Sequence, residues 1–467
     1  MGHGDKPGRR GGRIGPGADR PARPVRRARR AVRRCRPLAA LLLATVWGLP
    51  AGIGASLAAQ EPRDTVASEL EELRRRIEDL ELLLARQGEM LEGRMTEAME
   101  REERGLAVPD PRQRAVSGIY GRPFVWKGGG AAVGGYVDLE LEAGLENDEL
   151  TFDQHRLIPF IFAEITDRIH FGTELEFEHG ADEIAVEFAA LDVAFAEWLN
   201  FRGGILLAPL GKFNLIHDSP VNDLTERPLV NRQIIPTTLS EAGVGFFGST
   251  YPGESSVLTY EAYVVNGFDA GLLTGPAEAR LRDGRGSVES DNNAEKSVVG
   301  RIGFSPILGV EVGASAHHGV YAPDDQADRD ALGLNGDEKL TIAAADAIVT
   351  RGPVELLGEA AWATFDAPAG TPDAQFGYYA QANVHFGHGL VSMFPSSVFT
   401  AVGRWGEIDL DSDSDGARQR RLTLGLNWRP VEETVFKLDL LTDWFQEASG
   451  EYGDAEQRLF FSLASYF

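Results

Sequence analysis

The residues best suited to chemistry lie in one segment, from Pro209 to Ser240, that shows no regular period. Charged side chains in such a segment attract or repel ions, whereas its aliphatic side chains can anchor it against another surface. The chain contains no Gly-x-Ser-x-Gly elbow and no His-Glu-x-x-His pair, so we expect no enzyme activity, catalytic residue, metal or cofactor. The candidate ion-contacting residues are Lys212, His217, Asp218, Arg227 and Arg232.

Charge and cysteine usage exclude several classes of protein. The chain has 46 basic and 71 acidic residues. Residues 1–59 hold 13 of the basic and only 2 of the acidic residues, so the rest of the chain is strongly acidic. An acidic body has no basic face to neutralise phosphates, which argues against nucleic acid as a partner. The only cysteine, Cys35, precedes an apolar run. An exported form would therefore carry no disulfide, cysteine-bound zinc or cysteine nucleophile.

Residues 1–59 have the layout of a cleaved signal peptide. The basic stretch "RRARRAVRRCR" is followed by a short apolar run and then by the small residues Ser56, Ala58 and Ala59. A membrane anchor is the alternative interpretation. Glycine and proline between Gly48 and Gly54 interrupt the run well short of the roughly 20 residues that a span needs. We therefore expect export and removal of this segment.

Residues 60–103 predict a periplasmic coiled coil, and residues 104–130 a linker rich in proline, glycine and charge. Leucine followed by isoleucine in the core of a coiled coil favours trimers over dimers. A single amphipathic helix lying on another surface is the alternative. One core position of the heptad holds Leu73 and Leu80, and the other holds Leu70, Ile77, Leu84 and Leu91.

Residues 131–467 alternate apolar and polar side chains, as strands do. A soluble β-sandwich alternates in the same way, so the connections must distinguish the two folds. About sixteen strands are joined by connections that alternate between short and long, which is typical of an outer-membrane antiparallel β-barrel. The short connections begin near Thr166, Glu197, Tyr251, Ser305, Arg351 and Arg429.

A barrel of sixteen strands leaves an aqueous lumen. The segment 209–240 follows the fifth predicted strand, and we expect it to fold into this lumen and form a constriction; an external loop is the alternative. The other faces of the strands carry the side chains that would line the lumen. The lumen candidates are Arg156, Glu164, Glu174, Glu176 and Arg202.

The chain ends on a period-2 strand whose last residue is Phe467. This ending resembles the C-terminal signal by which the bacterial barrel-assembly machinery recognises outer-membrane proteins, although Ser465 stands where an apolar residue is usual. The resemblance implies that the last strand faces outer-membrane lipid and closes the barrel. The residues that carry it are Leu459, Phe461, Leu463, Tyr466 and Phe467.

The signal peptide, the short coiled coil, the acidic barrel and the stretch "ERPLVNRQIIPTTLSEAGVGFFG" together resemble the phosphate-selective porin O/P family. The resemblance implies a homotrimeric outer-membrane channel for small anionic or hydrophilic solutes such as phosphate. The many carboxylates on predicted lumen faces favour cations instead. A general or cation-preferring porin therefore stays open, as does a structural tether between outer membrane and cell wall.

The heptad pattern generates a first prediction. A peptide spanning Thr65 to Met99 should self-associate as a trimer, because Leu73, Ile77, Leu80 and Leu84 form a continuous apolar seam. Sedimentation equilibrium of the peptide measures its mass directly. A monomer at high peptide concentration would rule out the coiled coil.

Overall fold

The computed structural model describes residues 126–128, 131–145, 150–253, 255–275, 278–286 and 288–467. The predicted signal peptide, the predicted coiled coil and most of the predicted linker lie outside the described residues. The described part begins with a short strand, β1 (Trp126–Gly128), which pairs with the start of the next strand.

Sixteen antiparallel strands, β2 to β17, follow β1 and close a barrel. Each pairs with its neighbours in the chain, and β17 pairs with β2, where Leu463 lies opposite Leu139. The barrel predicted from the alternating pattern is confirmed. Its strands are β2 (Ala131–Gly144), β3 (Leu150–Thr166), β4 (Ile169–Glu178), β5 (Glu183–Ala196), β6 (Leu199–Leu207), β7 (Ser240–Thr250), β8 (Val257–Val265), β9 (Ser297–Ile307), β10 (Val310–Val320), β11 (Lys339–Arg351), β12 (Val354–Phe365), β13 (Ala374–Phe386), β14 (Val398–Asp409), β15 (Arg418–Val431), β16 (Thr434–Phe445) and β17 (Glu456–Tyr466).

The connections are sorted by length, as the sequence predicts. Short turns follow β3, β5, β7, β9, β11 and β15, whereas the connection 387–397 is the one longer link at that end. At the other end, the longest connections are 208–239, 266–296 and 321–338, and they contain the short helices α1 (Leu229–Gln233) and α2 (Gln326–Leu332). Among the described residues, no helix is long and apolar enough to cross a membrane.

The two faces of the barrel wall differ in chemistry. The outer face exposes large apolar side chains, such as Val244 and Phe246 on β7 and Ile302 on β9. On β17 the inward residues Phe460 and Ser462 are buried at 2% and 0% exposure. This alternation places one apolar face outside and one mixed face inside, because successive side chains of a strand point to opposite sides.

A hydrophobic core lies within the barrel. Leu229, Val230, Ile234 and Ile235 from the connection 208–239 are fully or almost fully buried. They belong to one cluster with inward side chains of the wall, among them Ile342, Ala361, Tyr379 and Ile408. Burial of each large aliphatic side chain contributes about 1.5–3 kcal/mol, so the core holds this connection firmly.

The closure between β2 and β17 generates a second prediction. The folded protein should resist SDS and migrate differently before and after boiling, because a closed barrel leaves no unpaired strand edge. Deletion of residues 456–467 should abolish this heat modifiability by exposing the edges of β2 and β16. Semi-native electrophoresis measures both forms. Identical migration of the full chain before and after boiling would contradict a closed barrel.

Candidate functional site

The connection 208–239, here called the inner loop, lies inside the barrel. The Lys437 ammonium on β16 donates to the Ser219 carbonyl at 2.8 Å, and the Asn427 amide on β15 donates to the Asp223 carbonyl at 2.7 Å. Lys437 and Asn427 are both fully buried on the inward face of the wall. Their hydrogen bonds therefore place the inner loop within the lumen.

One carboxylate on β12 holds two separate parts of the inner loop. Glu359 Oε2 accepts hydrogen bonds from the backbone N–H groups of Lys212 at 2.6 Å and Phe213 at 3.1 Å, while its Oε1 accepts one from the Asn231 amide at 2.6 Å. Gly211 precedes them with a φ of 69°, and a Cβ there would lie 2.5 Å from Glu359 Oε1. Only glycine fits this approach without strain.

Three of the five predicted constriction residues form hydrogen bonds or ion pairs with side chains of the barrel wall. Lys212 Nζ donates to Glu311 Oε1 at 2.8 Å. The buried His217 ring lies 2.8 Å from Glu187 Oε1. Asp218 accepts from the hydroxyl of Tyr466, at 2.7 Å.

The other two contact groups of the inner loop itself. Arg227 donates to the Thr237 carbonyl, and Arg232 donates to the Glu226 carboxylate. The structure therefore does not bring the five predicted residues into one cluster.

Four arginines surround Glu226 at the middle of the inner loop; we call these five residues the arginine cluster. Arg232 and Arg421 form ion pairs with the Glu226 carboxylate, the latter at 3.3 Å, and Arg404 donates to its backbone carbonyl. Burial alone would raise the pKa of Glu226, but Arg232, Arg421, Arg458 and Arg404 together hold this pKa below its usual range. One carboxylate thus faces four guanidinium groups.

Arg227, next in the chain, faces the wall at β3 and β4. Its Nη1 donates to the Thr237 carbonyl, whereas its buried Nη2 has no hydrogen-bond partner among the residues that the structure describes. Burial lowers the pKa of Arg227, and so does the positive charge of Arg156 on β3. A poorly solvated guanidinium of this kind is a site where an anion gains more than it would in bulk water.

The predicted lumen residues occupy the wall in different ways. Arg156 forms an ion pair with Glu178 at 2.7 Å and lies 3.5 Å from Glu176. Arg202 makes two hydrogen bonds to Asp192, at 2.7 and 2.8 Å. Glu174 is fully buried, whereas Glu164, near the short-turn end of β3, is exposed.

Five arginines of this region are not among the residues predicted from the sequence. Arg282 and Arg285, from the connection 266–296, donate to the carbonyls of Thr237 and Thr238 at 3.2 and 3.0 Å. Burial and the charges of Arg285 and Arg232 lower the pKa of Arg282. No sequence signal places this connection over the inner loop. The other missed arginines, which period-2 alternation could have placed on inward faces, are Arg404, Arg421 and Arg458.

This arrangement suits the recognition of anions. A guanidinium group keeps its charge, and its planar donors match the oxygens of phosphate and carboxylate. The acidic partners of several arginines are already engaged: Asp443 accepts from Arg421 at 2.7 Å and from Arg458 at 3.1 Å. Arg458 also forms an ion pair with Glu142 at 3.1 Å, whereas the hydrogen bond of Arg227 goes to a backbone carbonyl, so Arg227 is the guanidinium best placed to meet an anion.

Comparison with known proteins places the chain by fold. No family model matches it. An uncharacterized protein of Aquifex aeolicus is 37% identical over 197 residues, which are 40% of this chain and 43% of that protein, so the match spans less than half of the relative. The solved anion-selective porin of Comamonas acidovorans is 12% identical, with a TM-score of 0.50, over 72% of this chain and 99% of that one. OmpT, an outer membrane protein of Vibrio cholerae, is 10% identical, with a TM-score of 0.47, over 74% and 99%.

The contacts of Glu359 generate a third prediction. Glu359→Ala should release the inner loop, because three donors lose their shared acceptor and each such hydrogen bond contributes about 0.5–1.5 kcal/mol. Limited proteolysis of the folded protein measures this release as faster cleavage within residues 208–239. The matched control is Glu197→Ala in the short turn after β5, which should leave cleavage unchanged. Equal protection of both variants would show that the inner loop does not depend on Glu359.

Proposed function

We propose that the protein is an outer-membrane porin, a passive diffusion channel for small hydrophilic solutes that prefers anions such as phosphate. The observation that carries the proposal is the position of the inner loop: it lies inside a closed sixteen-strand barrel and gathers four arginines around Glu226. A barrel of this size is wide enough for an aqueous channel, and a loop folded into it narrows that channel.

The outer face of the barrel supports a place in a membrane. Apolar side chains such as Phe246, Val264, Ile302 and Leu356 point outward and are exposed. A band of this kind is stable against lipid, whereas in water it would drive association. Outer-membrane lipid, the barrel-assembly machinery and a homotrimeric assembly are therefore the partners we propose, with the C-terminal strand ending at Phe467 as the assembly signal.

Pairing within the wall explains how an acidic protein can prefer anions. Glu178, Asp192 and Asp443 are each within hydrogen-bond distance of an arginine, so much of the wall's negative charge is neutralised locally. Around Glu226 four arginines face one carboxylate of the inner loop, and two of them, Arg421 and Arg458, also pair with Asp443. At an effective dielectric constant near 20, a unit charge 4 Å away is worth about 4 kcal/mol to an ion. Dissolved salt screens the charge of carboxylates on the outer connections beyond about 8–10 Å, so these carboxylates act only weakly on an ion inside the lumen.

A cation-preferring porin is the second candidate, and one observation favours it. The wall at β2 and β4 presents Asp138, Glu140 and Glu174 on its inward face. If permeating ions follow this wall rather than the arginine cluster, the carboxylates will govern selectivity. The sign of the reversal potential in a salt gradient distinguishes the two candidates.

Phosphate as the preferred solute is supported by chemistry and by the resemblance to the phosphate-selective porin O/P family. Bidentate contacts from guanidinium groups suit a tetrahedral oxyanion better than a spherical halide. The experiment is inhibition of chloride current by added phosphate. Block at millimolar phosphate supports this specificity, whereas additive conductance of the two anions would restrict the proposal to a general anion channel.

The arginine cluster and the neighbouring Arg227 generate the fourth prediction. Arg227→Gln/Arg232→Gln should shift the reversal potential in a potassium chloride gradient towards the cation side, because two positive charges leave the narrow part of the lumen. Planar-bilayer recording measures this shift. Lys212→Gln should have a smaller effect, since the Lys212 ammonium is neutralised by Glu311.

Arg351→Gln is the matched control for this prediction, because Arg351 is exposed at the short-turn end of β11. It should leave the reversal potential unchanged. A double variant with the selectivity of the unmodified channel would remove Arg227 and Arg232 from the permeation path. An unmodified channel that already prefers cations would overturn the anion preference itself.

A further inference from the structure

Two histidines and an aspartate meet at the long-connection end of β2, β3 and β4, outside the arginine cluster. Asp153 Oδ2 lies 2.7 Å from the Nδ1 atom of His179 and 3.5 Å from that of His155. A ligand atom from each of the three residues lies within 4.8 Å of the other two. Glu140 Oε2 approaches His155 Nδ1 at 3.9 Å and is a second carboxylate oxygen next to this group.

Local backbone features bring these side chains together. A β-bulge lies between the pairs Asp138–Arg156 and Glu140–Asp153, so β3 has one more residue than β2 at this point. A bulge changes the direction in which nearby side chains point. His155 can therefore approach the inward residues Glu140 and Asp153. After β4, the chain turns through the residues His179–Ala181, which all have positive φ values, of 50°, 69° and 77°.

The positive φ values at His179 and Ala181 indicate local strain in the backbone. Residues other than glycine avoid this region because their Cβ atom clashes with the backbone there. The turn places His179 against Asp153, with the His155 ring centroid 5.4 Å from that of His179. Strain of this kind is common where a side chain must occupy a fixed position for binding.

The donor spacing fits a metal ion. Zinc binds histidine nitrogen and carboxylate oxygen at about 2.0–2.2 Å, and tetrahedral geometry then separates neighbouring donors by roughly 3.3 Å. The distances of 3.5 and 3.9 Å from His155 to the two carboxylates are near that value. The 2.7 Å contact between His179 and Asp153 is a hydrogen bond that would open by about half an ångström.

We propose that Asp153, His155 and His179 bind a divalent transition-metal ion of the zinc type, with the Glu140 carboxylate beside His155. Two imidazoles select zinc, copper or nickel over calcium and magnesium, which prefer oxygen ligands alone. The nearby positive charge of Arg156 is offset by its ion pair with Glu178 at 2.7 Å. The site is independent of the proposed channel function, since its ligands belong to the rim of the barrel and not to the inner loop.

The experiment is isothermal titration of the refolded full-length protein in detergent with zinc chloride. We expect one ion per chain with micromolar affinity, and at least a tenfold loss of affinity in His179→Ala and in His155→Ala. His388→Ala is the matched control, because His388 is an exposed histidine in the connection at the opposite end of the barrel. This variant should bind zinc as the unmodified protein does.

Two further results test the inference. Calcium at millimolar concentration should not displace the zinc ion, because it gains little from imidazole ligands. Heat modifiability on semi-native gels shows that each variant is folded. Absence of zinc binding by the folded protein, or histidine variants that both bind zinc as tightly as the unmodified protein, would overturn the metal site, and neither result depends on channel activity.

Discussion

The carboxylate of Glu359 is the interaction on which the interior of this barrel depends. It lies almost fully buried on β12 and accepts three hydrogen bonds from the inner loop, from Lys212, Phe213 and Asn231. A loop that enters a lumen must replace the hydrogen bonds that its backbone would make with water. Glu359 supplies such hydrogen bonds to two separate parts of the loop, at Lys212–Phe213 and at Asn231. Gly211 can approach the Glu359 carboxylate closely because it has no side chain.

The position of the inner loop determines the electrostatics of the lumen. Its buried aliphatics, Leu229 to Ile235, fill one side of the barrel, so its charged middle part turns towards β14, β15 and β17. There Glu226 meets arginines from three strands and from the loop itself. Elsewhere the wall pairs its acids with bases, as Arg202 does with Asp192. The net charge of −25 therefore belongs to the whole chain and does not describe the surroundings of Glu226.

Sequence reasoning recovers the parts of this fold that depend on local pattern. Strict alternation places Phe460 and Ser462 inside and Leu463 outside, and the contrast between short and long connections identifies a barrel. The partners of Lys212 and His217 could not be predicted, because Glu311 is 99 residues away from Lys212, and Glu187 belongs to another strand. The group of Asp153, His155 and His179 also escaped prediction, since a bulge and a left-handed turn create it.

We propose that Arg227 on the inner loop lines the path of permeating ions. Arg227→Cys introduces the only thiol outside residues 1–59, because the single cysteine, Cys35, lies within the predicted signal peptide. A negatively charged methanethiosulfonate reagent applied to the open channel should then lower single-channel conductance and shift selectivity towards cations. A positively charged reagent should preserve the anion preference. Conductance and selectivity unchanged by both reagents, with labelling verified by mass, would contradict the account.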